Sequence, residues 1–144
     1  MRYNIKGYVC NFTFTITHKE SERKMTIKEC YELVGGNYEE VMGRLMKEER
    51  VIKYLGKFKA DPSYQEMLTS YAAQDWETLF RASHTLKGVC YNLSLTALGD
   101  AASNVCEAVR PGVAPETDIA PLVEVTKELY AKNIELIEEA LPKA

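Results

Sequence analysis

The sequence predicts an all-α fold: an antiparallel up-down-up-down four-helix bundle with one or two short accessory helices at its N-terminal end. Two observations lead there. From Met25 onward every start and stop signal is helical. The connections between the amphipathic segments are short, which favours antiparallel neighbours. A third observation bounds the answer. At 144 residues the chain suits one domain, and that length buries roughly 68–70% of the unfolded surface, enough for a core without staples.

Residues 1–24 read as an N-terminal arm or extension that need not be ordered, and residues 25–144 as the bundle domain. Within the arm, Phe12 to Thr17 alternates apolar and polar residues with the period of a strand, yet nothing later in the chain offers a partner strand. Thr26-Ile27-Lys28-Glu29 is a capping box that starts a first short helix, and Gly35-Gly36-Asn37 stops it. Val41, Leu45, Val51, Ile52, Leu55 and Phe58 predict one second helix over residues 38–59. Asp61-Pro62 predicts a cap followed by proline at the first helical position, with a helix to about Ala73. Gln74 breaks it, and Asp75 caps a helix over 76–92. Leu93-Ser94 makes a tight turn into a helix over 95–109. After the loop Pro111 to Pro115, Asp118 caps a last helix to about Ala140; Pro121 is tolerated in its first turn.

Composition narrows the function. A net charge of -3 gives no electrostatic footprint for nucleic acid, which favours a basic face. No apolar run is long enough to span a membrane, and Arg2 and Lys6 precede no apolar stretch of a signal peptide. A cytoplasmic location is the default. Cys10, Cys30, Cys90 and Cys106 form no CxxC pair, and His18 and His84 are far apart, so no metal site is expected. Cys90 and Cys106 read as buried free thiols. No Walker motif or kinase glycine loop is present, so ATP binding is not expected.

Candidate chemistry sits on the helix from Trp76. Leu79, Ala82, Leu86, Val89, Cys90 and Leu93 make its core face. At about 100° per residue His84 lies about 170° from the centre of that face and points outward. Phe80, Lys87, Gly88 and Tyr91 fall within about 60° of it. Taken alone, an outward histidine is more often incidental than not, and each neighbour has a bland reading as surface scatter or solvated charge. One shared docking surface explains all of them at once. Lys87, at i+3, can hold the oxygens of a phosphoryl group on the ring as a flexible point charge. Gly88, at i+4, costs a helix interior about 1 kcal/mol relative to Ala, and its missing side chain lets another backbone approach His84.

Phe80-Arg81-Ala82-Ser83-His84-Thr85-Leu86-Lys87-Gly88 resembles the signature of histidine-containing phosphotransfer (HPt) domains of two-component phosphorelays: a His, then Leu two on, Lys three on and Gly four on. Gly36 to Glu39, Ala73-Gln74-Asp75, Asn92-Leu93, Leu98, and Glu107 three residues before Arg110 resemble other landmarks of the family. The likeness covers about residues 26–110. It implies a phosphoryl carrier with no kinase activity of its own. His84 would accept the group from a receiver-domain aspartate and pass it to another receiver, with Lys87 stabilising the phosphoryl group. Gly88, Phe80, Arg81 and Tyr91 would dock the partner. The implied partners are receiver domains of response regulators or hybrid histidine kinases, with the module a monomer. No cofactor is implied beyond Mg²⁺ on the receiver. Two departures stand out. Ser94 occupies a turn position where the family usually has glycine, which implies a turn of slightly different shape. Where some members place a glutamine against the imidazole, this chain has Cys106. Because the helices flanking the turn run antiparallel, His84 should face Ser103 to Cys106, which leaves Ser103, Asn104 or Cys106 as ring-orienting candidates.

Other readings are a helical interaction bundle that is never phosphorylated and the phosphoacceptor module of a chemotaxis-type kinase. A metal-binding bundle would need inward Glu and Glu-x-x-His patterns, which the sequence lacks.

Overall fold

A computed structural model describes residues 24–111, 115 and 118–143. The strand-like stretch, His18 and Cys10 lie outside the described residues. All regular structure among the described residues is helical: α1 (Ile27–Val34), α2 (Tyr38–Leu45), α3 (Glu48–Lys59), α4 (Ser63–Ala72), α5 (Trp76–Asn92), α6 (Thr96–Ala108) and α7 (Ala120–Ala140).

The local signals act as their chemistry requires. Thr26 Oγ1 accepts from the Glu29 amide at 3.0 Å while Glu29 Oε1 accepts from the Thr26 amide at 2.9 Å, so two orphan donors of α1 are satisfied reciprocally. Gly35 closes α1 in the left-handed region at φ 73°, where glycine carries no Cβ penalty. Asp61 caps α4 by accepting from the Ser63 amide at 2.9 Å; the helix begins at Ser63, one residue after the expected start. Asp118 Oδ1 accepts from the Ala120 amide at 3.0 Å at the head of α7.

One expected element is two. The helix predicted over 38–59 breaks at Met46, whose φ is 73° and whose side chain is 70% exposed. Gly43, three residues before the break, weakens the helix there, and side chains on both sides hold the bend. The Arg50 guanidinium donates back to the Leu45 carbonyl at 3.2 Å, and Tyr38 Oη donates to Glu48 Oε2 at 2.8 Å across the break. The bend lets Val41 of α2 and Val51 of α3 both be buried.

Helix α5 packs against α4 and α6, α6 against α7, and α1 against α7. Tyr64 of α4 stacks on Tyr130 of α7 with centroids 3.6 Å apart, and Phe58 of α3 approaches the same ring at 5.9 Å. The core fills the space between them with Leu55, Met67, Leu79, Leu86, Leu98, Val105 and Ile137, all essentially inaccessible. Cys30, Cys90 and Cys106 are free and buried, and burial pushes the Cys90 thiol up to about 12, with the Asp61 charge adding to it. No helix among the described residues is long and apolar enough to cross a membrane.

The accessory helices clamp the α5–α6 turn. Tyr31 Oη donates to the Leu93 carbonyl at 2.8 Å, the Asn37 amide to the Ser94 carbonyl at 2.9 Å, and the Ala97 amide to the Gly35 carbonyl at 3.2 Å. Arg44 of α2 donates to the carbonyls of Tyr91 (3.2 Å) and Asn92 (2.7 Å). A cation thus meets the unpaired carbonyls at the negative end of α5. The serine in this turn has a specific anchor. Ser94 takes the left-handed conformation at φ 56°, as a glycine would, because its buried hydroxyl donates to Glu40 Oε1 (2.7 Å) and accepts from Arg44 (3.0 Å).

Candidate functional site

The site is built on α5. Asp75 starts this helix: its carboxylate accepts from the Thr78 amide at 3.1 Å and from the Thr78 hydroxyl at 2.7 Å. Those bonds, with the Arg81 charge, hold the Asp75 carboxyl below its usual range. Inward, the helix buries Leu79, Ala82, Ser83, Leu86 and Cys90. Ser83 was not foreseen there; its hydroxyl donates to the Leu79 carbonyl at 2.7 Å, so a polar side chain needs no partner outside its own helix.

Outward stands His84, exposed, with the Phe80 ring one turn back at 5.9 Å and tilted 39°. Lys87 and Gly88 follow one turn on, both half-buried. A Cβ added at Gly88 would meet nothing within 4 Å. Packing within the fold therefore does not require this glycine. Arg81 is exposed and leans towards the head of the helix, donating to Thr78 Oγ1 at 3.3 Å and lying 3.8 Å from Glu77. Tyr91 is only partly free for docking. Its hydroxyl donates to Asp100 Oδ1 at 2.6 Å, and its ring lies so close over Gly99 that a Cβ there would come to 2.5 Å. The Asp100 hydrogen bond, helped by burial, pushes the Tyr91 phenol up to about 12.

The ring-orienting candidates separate. Cys106 is buried at 1% exposure, Ser103 is half-buried and Asn104 exposed. Among the described residues no hydrogen bond joins any of them to the His84 ring. Sequence reasoning noted Glu107 and Arg110 but left them out of the site. Tyr91 pairs with Asp100 across the α5–α6 turn. Seven residues, about two turns of helix, lead back from Tyr91 to His84 and onward from Asp100 to Glu107. The antiparallel register thus brings Cys106 and Glu107 to the stretch of α6 that faces His84, the first buried and the second exposed. Arg110 Nε and Nη2 donate to Glu107 Oε1 at 3.1 and 2.6 Å, and Nη2 also to Oε2 at 2.5 Å. The Arg110 hydrogen bonds, with the charges of Arg110, Lys87 and His84, hold the Glu107 carboxyl below its usual range. Counting the same register forward from Tyr91 and Asp100 would have found Glu107.

Among the described residues no cluster of three or more His, Cys, Asp or Glu side chains could hold a metal ion. The arrangement is an exposed imidazole at mid-helix, a lysine one turn along, an open glycine surface and an adjoining Glu–Arg pair. A family model described as Hpt domain matches residues 59–141, from the last residue of α3 to just past α7. No curated protein and no solved structure matches the chain.

Proposed function

The chain belongs to the Hpt domain family, and from that premise we propose that it carries a phosphoryl group on His84 between two receiver domains of a phosphorelay. The observation that carries the reading is an exposed His84 with Lys87 and Gly88 one turn along the same helix, inside the segment the family model matches. Gly43 and Gly56 are as open as Gly88, so it is the place of Gly88 beside His84, not its openness, that suits a partner backbone approaching the ring. The reading includes an up-down-up-down arrangement of α4 to α7, with α1 and α2 as accessories. It also includes a cytoplasmic, monomeric module that meets the receivers of response regulators or hybrid histidine kinases.

In the transfer, the unprotonated ring nitrogen of a neutral His84 attacks the phosphorus of a receiver's aspartyl phosphate. The N–P bond forms as the acyl O–P bond breaks, and the bond's electron pair stays on the aspartate as carboxylate. The proton on the ring's other nitrogen leaves the resulting imidazolium to solvent. Passing the group to a second receiver runs the same step in reverse. Such chemistry is mostly positioning and charge stabilisation. Lys87 faces the developing charge, and Mg²⁺ belongs to the receiver.

Incubation with each phosphorylated receiver of the host, followed by removal of the receiver, tests the reading. The protein should take up an acid-labile, base-stable phosphate that His84→Gln abolishes without loss of helical circular dichroism. Lys87→Ala should take up label and lose it faster. ATP alone should give none. A wild-type protein that no receiver labels would leave a non-phosphorylated interaction bundle in its place, and label on His84→Gln would move the site elsewhere.

A further inference from the structure

The α5–α6 register brings the carboxylate of Glu107 into the neighbourhood of His84, whose charge it feels, and in the resting protein its two oxygens are taken up by Arg110. Arg110 lies just past the C-cap Val109 of α6, where the unpaired carbonyls of the helix end favour a cation. The side chains of both are more than half exposed or nearly so, at 50% for Glu107 and 57% for Arg110, and so are free to reorient. A phosphoryl group on His84 brings a charge of about −1.5 to −2 and three strong acceptor oxygens into this neighbourhood. Two consequences follow from charge alone. The new anion repels Glu107, and it competes with Glu107 for the Arg110 guanidinium, whose fork suits phosphate oxygens as well as carboxylate.

We propose that the Glu107–Arg110 pair is an exchange latch that sets the lifetime of phospho-His84: Arg110 passes from Glu107 to the phosphoryl oxygens beside Lys87, while Glu107 works against the phosphorylated state. This rests on His84 being the phosphoacceptor. The exchange makes and breaks hydrogen bonds only. Its effect falls on the competing loss of the group to water, in which a water oxygen bonds to phosphorus as the N–P bond breaks and the electron pair returns to the ring nitrogen. Arg110 on the phosphoryl oxygens holds the group in place. Glu107 keeps that hold partial, so that the group is stored without being trapped and can still be delivered to a receiver.

The two residues make opposite predictions, and this separates the latch from a structural role. If the pair merely braces the end of α6, removing either partner breaks the same contact and both variants change in the same direction. In the latch, Arg110→Gln removes the cation that the phosphoryl group recruits, and Glu107→Gln frees that cation and removes the repulsion. Wild type, Arg110→Gln and Glu107→Gln would each be labelled by the same phosphorylated receiver, the receiver removed, and loss of label followed with time. The expected change is about two- to fivefold, the scale of an exposed ion pair. Arg110→Gln should shorten the lifetime and Glu107→Gln should lengthen it, while Arg110→Lys should lie between Arg110→Gln and wild type. Failure of wild type to label at all refutes the phosphotransfer reading and the latch with it. Normal labelling with equal lifetimes, or with both variants shifted the same way, refutes the latch and leaves the phosphotransfer reading standing.

Discussion

The turn that joins α5 to α6 holds a non-glycine residue in the left-handed region, and two substitutions at Ser94 show what keeps it there. That conformation costs a side chain with a Cβ roughly 1–2 kcal/mol. Against it stand the bonds of the buried hydroxyl to Glu40 at 2.7 Å and Arg44 at 3.0 Å, together worth about 1 kcal/mol because both partners remain half in solvent. Ser94→Ala keeps the strain and loses the bonds, so it should destabilise by about 1 kcal/mol. Ser94→Gly loses the same bonds and relieves the strain, less about 0.4–1 kcal/mol for the greater freedom of the unfolded chain. It should therefore fall within about 0.5 kcal/mol of wild type. The expected order is wild type close to Gly, then Ala, the reverse of the usual advantage of alanine over glycine. Urea titration followed by circular dichroism measures it. With slopes of about 1–3 kcal/mol/M, a 1 kcal/mol loss moves the midpoint by about 0.3–1 M. A Ser94→Ala protein as stable as Ser94→Gly would mean that the turn relaxes out of the left-handed region and that the hydroxyl is not what holds it.

At Gly88 a Cβ meets open space, so Gly88→Ala should stabilise the free protein by up to about 1 kcal/mol, whereas Gly88→Gln should weaken receiver binding in calorimetric titration without lowering the melting temperature; unchanged affinity would remove the close approach. Asp75 has a folded pKa held below the ordinary 3.8 by its bonds to Thr78, so its stabilising effect is present above that ordinary value and is lost as pH falls through the depressed one. The melting-temperature gap between wild type and Asp75→Ala should therefore be widest near neutral pH and close in acid, and a gap that persists at pH 2 would mean the cap does not act through its charge.

Much of the fold was legible because its signals are local. The Thr26–Glu29 capping box, the Asp75 cap, the Asp61 start and the Gly35 stop each act within four residues of themselves, and each is found at or within one residue of its expected place. The break at Met46 was not legible, since Gly43 weakens a helix there but does not by itself stop one. It is fixed by Arg50 reaching the Leu45 carbonyl and by α2 having to bring Arg44 onto the end of α5, contacts that span up to 48 positions. The Ser94 turn depends on distant residues in the same way: Glu40 and Arg44, some fifty positions earlier, bond the hydroxyl of a serine held in the left-handed region.

The site divides along the same line. Which side chains leave the core face of α5 follows from helical period within one element, and His84, Lys87 and Gly88 lie off that face in the structure, whereas Phe80 is partly buried against the core. What stands opposite His84 depends on the register of two helices, which no period within either can fix. Antiparallel pairing alone points to Ser103 through Cys106, and Glu107 is the next residue along. The register is set near the turn, where Gly99 admits the Tyr91 ring and Asp100 receives its hydroxyl. A side chain at 99 would push that ring away and leave the two helices free to slide. Gly99 thus does within the α5–α6 pair what the proposed function asks of Gly88 towards a partner: it omits a side chain so that something else can come close. At 99 the visitor is Tyr91 of the same chain, and the pairing brings an acid, Glu107, close enough for its charge to be felt at His84.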